Sequence, residues 1–225
     1  MRGLHAGRAA LLLAAVTLAS GHMAAEDGVE AGEPGPAGIS QHAVLSEFGS
    51  ARMPSGLAAL CLREPGFCAA VNPVAALLDL SPEERNMVER VNVTVNHAIE
   101  STTDEELYGR KEYWTLPTTA GDCEDYVLLK RKLLAENGLP LGSLLITVVH
   151  DEYGEAHAVL SIPTTQGDLV LDNRRDDVLA WRETGYSFIK RQSALNPSRW
   201  VALSRGELQT TDIASAPEAP SAQQQ

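Results

Sequence analysis

The sequence predicts a fold that combines α-helices with adjacent antiparallel β-strands. From residue 126 onward, apolar residues recur at the spacing of one helix face. Three short runs rich in Leu, Ile and Val follow at 143–149, 156–162 and 168–172, and each is typical of a β-strand. A turn at 151–154 joins the first two runs, which favours antiparallel neighbours. The apolar helix positions are Tyr126, Leu129, Leu133 and Leu134.

The predicted helix has start and stop signals. Asp122 stands at the expected N-cap, and Glu124 and Asp125 add negative charge to the first turn, where the helix dipole favours it. Asn and Gly at 137–138 supply the stop. A second helix is predicted from the Ser-Pro-Glu-Glu sequence at 81–84, which has the pattern of a capping box.

Cys123 lies at the start of the first helix, in the sequence Gly-Asp-Cys-Glu-Asp-Tyr at 121–126. A thiol in that position faces unpaired backbone N–H groups and the positive end of the helix dipole, which lower its pKa and favour the thiolate. We therefore interpret Cys123 as a candidate nucleophile. The alternative is a small buried hydrophobe, which is the common environment of a free cysteine.

A cysteine nucleophile needs a base within hydrogen-bond reach, and the base needs an orienting partner. His157 begins the second predicted strand and Asp172 ends the third. Two adjacent antiparallel strands would bring this imidazole and this carboxylate side by side. His150, at the end of the first strand, is the competing base. The charged run at 174–177 is interpreted as a solvated loop.

The segments around these three residues match a known family. They are Gly-Asp-Cys-Glu-Asp-Tyr at 121–126, His-Ala-Val-Leu at 157–160 and Leu-Asp-Asn at 171–173. The sequence resembles the bacterial transglutaminase-like cysteine proteinases, the family of the LapG-like periplasmic proteases. The resemblance covers residues 45–203. It also includes Tyr113-Trp114 with Pro117, the helix at 91–99 and the region at 61–68.

This resemblance implies a papain-like, transglutaminase-like α+β fold, in which the helix that carries the nucleophile packs on an antiparallel sheet. It implies Cys123 as the nucleophile, His157 as the general base and acid, and Asp172 as the residue that orients the imidazole. The implied chemistry is acyl transfer through a thioester that water resolves. Backbone N–H groups at the helix start, including that of Cys123, would stabilise the oxyanion.

Calcium is a further implication, because LapG-like members are calcium-dependent and carry acidic residues beside the nucleophile. The corresponding residues are Asp122, Glu124 and Asp125. Their carboxylate oxygens are the hard ligands that calcium prefers. The alternative is that the same residues only cap the helix N-terminus, without a metal.

The beginning of the chain predicts export. Residues 1–25 combine a basic start, an apolar run and small residues, which is the layout of a secretory signal peptide. A retained N-terminal anchor is the alternative. We expect a flexible leader at 26–40, one transglutaminase-like cysteine peptidase domain at 41–208, and a disordered tail at 209–225. By the family resemblance, the exported protein is expected in the periplasm.

Export affects the interpretation of the other two cysteines. Cys61 and Cys68 flank a Pro-Gly pair at 65–66, which favours a turn that brings the two sulfurs together. In an oxidising compartment they are expected to form a disulfide. Since the chain has three cysteines, Cys123 would be left as the free thiol.

Charge and hydropathy exclude several partners. The formal net charge of −12 at pH 7 disfavours attraction to nucleic acid or anionic lipid. No segment after the signal peptide is long and apolar enough to predict a membrane span in the mature chain. The family resemblance implies a cysteine endopeptidase acting on a protein of the cell envelope, such as the adhesins cut by LapG-like members. A transglutaminase-type amide transferase and a non-hydrolytic binding module on the same fold are the alternatives.

Overall fold

The structure, a computed structural model, describes residues 44–69 and 77–207. The predicted signal peptide at 1–25, leader at 26–40 and tail at 209–225 lie outside the described residues and stay predictions. The described residues form helices and an antiparallel sheet, so the predicted α+β class is confirmed.

The larger sheet has seven strands within the described residues, in the order β1-β9-β8-β4-β5-β6-β7, and every neighbouring pair is antiparallel. The two shortest strands, β2 and β3, form a separate parallel pair. The strands are β1 (Gly49–Ala51), β2 (Glu100–Ser101), β3 (Ala120–Gly121), β4 (Leu145–His150), β5 (Ala156–Thr164), β6 (Gly167–Asp172), β7 (Arg175–Ala180), β8 (Ser187–Ser193) and β9 (Asn196–Ala202).

The helices start where their capping residues predict. The Ser81 hydroxyl accepts the Glu84 N–H, and the Glu84 carboxylate accepts the Ser81 N–H, which completes the predicted capping box. The helix that follows Asp122 ends at Glu136, and Gly138 then takes a φ of 97°, which glycine adopts readily. The helices are α1 (Ser55–Arg63), α2 (Pro82–Ala98), α3 (Asp104–Tyr108) and α4 (Cys123–Glu136).

Apolar side chains cover both faces of the central strands. Along β5, Leu160 and Ile162 belong to the cluster that packs under α4, whereas Val159 belongs to a cluster on the opposite face. This alternation follows from the two-residue period of a strand. Helix α4 contacts β4, β5 and β6, and α2 contacts both α4 and β7. The sheet therefore holds α4 over β5, with the N-terminal end of the helix at Cys123.

A buried ionic network ties the first described residues to the sheet. The Arg191 guanidinium contacts Asp168 Oδ1 at 2.6 Å and Glu47 Oε1 at 2.8 Å. The other Asp168 oxygen accepts the Leu45 N–H at 2.7 Å. Because Arg191 and Asp168 are buried whereas Glu47 is partly exposed, removing Arg191 or Asp168 would leave an unpaired buried charge and cost about 3–5 kcal/mol.

The charged run predicted as a solvated loop is exposed at Arg174, Asp176 and Asp177, but the prediction of a loop is wrong from Arg175 onward. Residues from Arg175 onward form β7, which pairs antiparallel with β6. The side-chain amides of Asn92 and Asn96 on α2 donate to the Arg175 carbonyl, both at 2.9 Å. These long-range contacts hold the segment in a strand despite its charge.

The predicted disulfide is present. Cys61 at the end of α1 and Cys68 in the following 3-10 turn are bonded, with their Cα atoms 5.6 Å apart. Cys123 is the free cysteine of the chain.

Among the described helices, none has the length and apolar character that a membrane span requires.

Candidate active site

Cys123 is the first residue of α4 and lies in a cleft together with His157. Two cavities meet at this pair, one of about 320 Å³ and one of about 230 Å³. The larger has an apolar wall and is also lined by Glu112, Glu124 and Lys190, and the smaller has a hydroxyl-rich wall. The apolar wall includes Met53, Trp114 and Val148, and the polar wall includes Ser101, Thr102 and Thr103.

His157 and Asp172 form a buried pair at the ends of β5 and β6. The imidazole Nε2 lies 2.8 Å from Asp172 Oδ1, so the predicted side-by-side placement is confirmed. Because Nε2 is engaged, Nδ1 is the ring nitrogen that remains to exchange a proton with a thiol. The competing base, His150, lies exposed at the end of β4 and outside the residues that line the cleft.

The Asp172 carboxylate accepts two further hydrogen bonds. The Arg174 backbone N–H donates to Oδ1 at 3.0 Å, and the Tyr186 hydroxyl donates to Oδ2 at 2.7 Å. Burial opposes ionisation, but the His157, Arg174 and Tyr186 donors outweigh it and hold the Asp172 pKa at about 2. Asp172 is therefore a stable anion beside the imidazole. No pattern in the sequence points to Tyr186, which immediately precedes β8.

The Cys123 thiol has an acidic environment that the helix-dipole argument did not predict. Its Sγ lies 3.0 Å from the Glu124 carboxylate. Burial, followed by the charge of Glu124, raises the pKa of the Cys123 thiol above its ordinary value, while the Ala158 backbone N–H acts in the opposite direction. The expectation of a lowered thiol pKa is therefore wrong for the protein without a bound cation.

Three carboxylates cluster beside the thiol: Asp104, Asp122 and Glu124. One oxygen from each lies within 4.8 Å of the others. Asp122 occupies the N-cap position of α4, but its side chain makes no capping hydrogen bond, which differs from its predicted role. Burial, together with the charges of Glu124 and Asp104, raises the pKa of Asp122 to about 8.

Asp104 reaches this cluster through the parallel pairing of β2 with β3. Ser101 pairs with Gly121, so the residues that follow the two strands run side by side. Asp104 then opens α3 close to Asp122. The Thr103 to Glu106 capping box could have revealed the start of α3. Two-residue strands have no sequence signature, so the sequence analysis missed Asp104.

The cluster fits a divalent cation. Asp104 Oδ1 and Asp122 Oδ1 are buried and have no hydrogen-bond partner among the described residues. Buried carboxylate oxygens without donors are costly unless a cation satisfies them. The other Asp104 oxygen accepts the Tyr113 backbone N–H, which fixes the orientation of the carboxylate.

Asp125, predicted as the third calcium ligand, is not a member of this cluster. Its Oδ1 accepts the Thr115 backbone N–H at 2.8 Å, which ties α4 to the segment that precedes β3. Its side chain also packs against Gly121, where a Cβ atom would lie 2.7 Å from Asp125 Oδ2. Gly121 therefore permits a close approach of the chain to α4 that a side chain would block.

A helix-borne cysteine beside a histidine–aspartate pair on an antiparallel sheet defines the class of transglutaminase-like cysteine proteinases. Residues 47–207 match the family model described as bacterial transglutaminase-like cysteine proteinase BTLCP, and the chain belongs to this family of cysteine proteinases.

Solved structures similar to this chain include Legionella pneumophila LapG. One LapG structure is 28% identical, with a TM-score of 0.43, over 49% of this chain and 64% of that chain. EGTA-treated LapG gives the same four values. Calcium-bound LapG is 27% identical, with a TM-score of 0.47, over 56% of this chain and 73% of that chain. The chain thus spans less than two thirds of the first LapG chain. A search of curated proteins finds no match.

Proposed function

We propose that this protein is an exported cysteine endopeptidase that cleaves a protein substrate of the cell envelope through Cys123, His157 and Asp172. The observation that carries the proposal is the buried 2.8 Å pair of His157 and Asp172, which opens onto the same cleft as Cys123. Membership of a cysteine proteinase family supports the reaction class.

In the proposed reaction, His157 Nδ1 accepts the proton of the Cys123 thiol. The sulfur then forms a bond to the substrate carbonyl carbon, and the carbonyl electrons move to oxygen. The backbone N–H groups at the start of α4, that of Cys123 included, stabilise this oxyanion. The imidazolium donates its proton to the leaving amine as the C–N bond breaks. Water, deprotonated by His157, then hydrolyses the thioester and restores the thiol.

Asp172 keeps His157 in the orientation that these reaction steps need. Its carboxylate is an anion throughout, since hydrogen bonding holds its pKa at about 2 despite burial. The anion stabilises the imidazolium that forms twice in the cycle, without itself taking up a proton.

The open cleft suits an extended peptide. The apolar wall with Met53, Trp114 and Val148 lies on one side of the Cys123–His157 pair, and the hydroxyl-rich wall lies on the other. A peptide that crosses the pair would therefore meet apolar and charged side chains on one side of its scissile bond and hydroxyl groups on the other.

Calcium binding is part of the proposal, with Asp104, Asp122 and Glu124 as ligands. The calcium-bound state of LapG, together with the unpartnered oxygens of this cluster, supports it. When bound, calcium would supply positive charge beside the Cys123 thiol and satisfy the buried carboxylate oxygens.

We place the mature protein in the periplasm, and an envelope-associated adhesin is the candidate substrate. Residues 1–25 support export because they have the layout of a signal peptide. The Cys61–Cys68 disulfide adds support because such bonds persist in oxidising compartments.

Peptide-library cleavage tests the function. The mature protein is incubated with a proteome-derived peptide library in calcium and in EGTA, and new termini are identified by mass spectrometry. We expect cleavage in calcium and none by Cys123→Ala. A primary amine in the same reaction separates the alternatives, because a transferase would attach it to the library. No cleavage by the wild type, or full cleavage by Cys123→Ala, would refute the proposed function.

A further inference from the structure

We propose that Tyr186 is a positioning residue for the catalytic triad, which fixes the plane of the Asp172 carboxylate and through it the His157 imidazole. This inference rests on the proposed function. Its basis is the 2.7 Å hydrogen bond that the Tyr186 hydroxyl donates to Asp172 Oδ2, the oxygen that does not face His157.

The two Asp172 oxygens have separate sets of donors. His157 Nε2 and the Arg174 backbone N–H engage Oδ1, whereas Oδ2 is engaged by Tyr186. Rotation of an aspartate carboxylate about its last bond is soft. A donor on Oδ2 removes that freedom because both oxygens are then held. Without the Tyr186 hydroxyl, the buried anionic Oδ2 would lose this hydrogen bond, and the carboxylate plane would be free to turn.

Tyr186 is itself rigidly held. Its ring lies edge-on to the His157 ring, with the centroids 5.9 Å apart and an interplanar angle of 85°. The Arg175 guanidinium lies 5.5 Å from the ring centroid. The Tyr186 backbone N–H donates to Thr184 Oγ1 at 3.1 Å, and Gly185 between them has a φ of 77°, which turns the chain into β8.

The hydroxyl remains a donor throughout the working pH range. Burial, followed by the hydrogen bond and charge of Asp172, raises the pKa of Tyr186 to about 12. Arg174, Arg175 and Glu152 are further charged groups that interact with the phenol. Since the phenol does not ionise, its hydrogen bond to Asp172 persists wherever the enzyme is active.

The aromatic ring of Tyr186 also contributes to packing, and a test of the hydrogen bond must leave that packing intact. It packs in the apolar cluster with Val149, Val159 and Phe188, and Tyr186 does not line the cleft at Cys123. Phenylalanine would keep this packing and lose only the donor. Tyr186→Phe therefore isolates the hydrogen bond from the structural contribution of the ring.

The test compares Tyr186→Phe in the wild-type and Asp172→Asn backgrounds, with kcat and KM measured on a peptide selected from the library. We expect Tyr186→Phe to lower kcat about 10- to 100-fold at unchanged KM, as for loss of one hydrogen bond to a charged group. In Asp172→Asn it should have no further effect, because Tyr186 acts through Asp172.

Tyr126→Phe is the matched control. Tyr126 is also buried, its hydroxyl donates to the Ile99 carbonyl, and it does not line the cleft at Cys123. We expect this variant to lower stability and leave kcat unchanged. An unchanged kcat in Tyr186→Phe, or an equal loss in both backgrounds, would overturn the role of Tyr186.

Alkylation of Cys123 by iodoacetamide, measured on the same variants, keeps the inference independent of peptidase activity. If the wild type cleaves no peptide, the proposed function fails, but the alkylation rates still decide the role of Tyr186. We expect Tyr186→Phe to be alkylated more slowly than the wild type only where Asp172 is intact. Equal rates in the wild type and Tyr186→Phe would overturn the inference.

Discussion

His157 Nε2 lies 2.8 Å from Asp172 Oδ1, and both side chains are almost completely withdrawn from solvent. This contact follows from the antiparallel register of β5 and β6, in which Leu160 pairs with Leu171. The pairing engages one nitrogen of the imidazole and leaves the other available. In the proposed mechanism, that second nitrogen exchanges a proton with Cys123.

Asp172→Asn should lower kcat on the order of 10³-fold or more, with a smaller effect on KM. The amide keeps the size of the carboxylate but cannot hold the imidazole in the required tautomer or stabilise the imidazolium. The measurement is steady-state cleavage of a library-selected peptide. Asp176→Asn is the control, because that carboxylate pairs with His97 at the surface. A loss below 10-fold in Asp172→Asn would contradict the triad assignment.

Asp104→Asn should remove most of the stabilisation by calcium. This residue contributes a buried, unpartnered oxygen to the carboxylate cluster, so the substitution removes a ligand charge. The measurement is the calcium-induced shift in Tm by calorimetry, which follows from preferential binding to the folded state. Glu105→Gln, an exposed neighbour on α3, should keep the full shift. A full shift in Asp104→Asn would exclude this cluster as the calcium site.

Gly121→Ala should destabilise the fold by about 1–3 kcal/mol, the usual effect of overpacking. The added Cβ would lie 2.8 Å from the Asp125 Cβ, which is fixed on α4 and cannot move aside. Gly66→Ala is the matched control, since its Cβ would meet nothing within 4 Å. Urea unfolding measures both. Equal stabilities of the two variants would contradict the close contact between Gly121 and Asp125.

Lys130 is fully buried on α4, and its Nζ has no hydrogen-bond partner among the described residues. Burial lowers its pKa from 10.5 to about 7, although Asp172 and Asp176 favour the charged form. Between these two pH values the unfolded chain binds a proton that the folded protein does not. The contribution of Lys130 to stability should therefore rise with pH, at up to about 1.4 kcal/mol per pH unit.

Lys130→Met removes this titration and keeps most of the apolar packing. The difference in unfolding free energy between the wild type and Lys130→Met should change with pH between 7 and 10. The wild type should gain relative to the variant as the pH rises. Urea unfolding at several pH values measures this difference. Parallel curves for the two proteins would mean that the Lys130 pKa is ordinary in the folded state.

Local signals in the sequence predicted the elements that carry the triad. The strand patterns around His157 and Asp172 placed the two residues on neighbouring strands, and the stop at 137–138 ended α4 correctly. These predictions succeeded because each depends on residues close together in the chain. The disulfide predicted from the Pro-Gly turn between Cys61 and Cys68 is present for the same reason.

The missed features all depend on contacts between distant segments. Asp104 joins Asp122 only through the β2–β3 pairing, and Tyr186 reaches Asp172 from the loop just before β8. The direction of the Cys123 pKa shift depends on the burial of the thiol itself, followed by the charge of Glu124 beside it. The position of Cys123 at a helix start suggests that the helix dipole lowers the thiol pKa. Only the packing around the thiol determines whether desolvation, which raises the pKa, exceeds that effect.

The most direct test of the account is the rate of iodoacetamide alkylation at Cys123 in the mature protein as a function of pH. It is measured with calcium and with EGTA, in the wild type and in His157→Ala, and the modified cysteine is identified by mass spectrometry. The account predicts rapid labelling of Cys123 in calcium at pH values well below 8, where an ordinary thiol is mostly protonated and reacts slowly. It also predicts that His157→Ala loses this rapid labelling. Slow labelling typical of an ordinary thiol, or equal rates in the two proteins, would contradict the assignment of Cys123 as a nucleophile activated by His157.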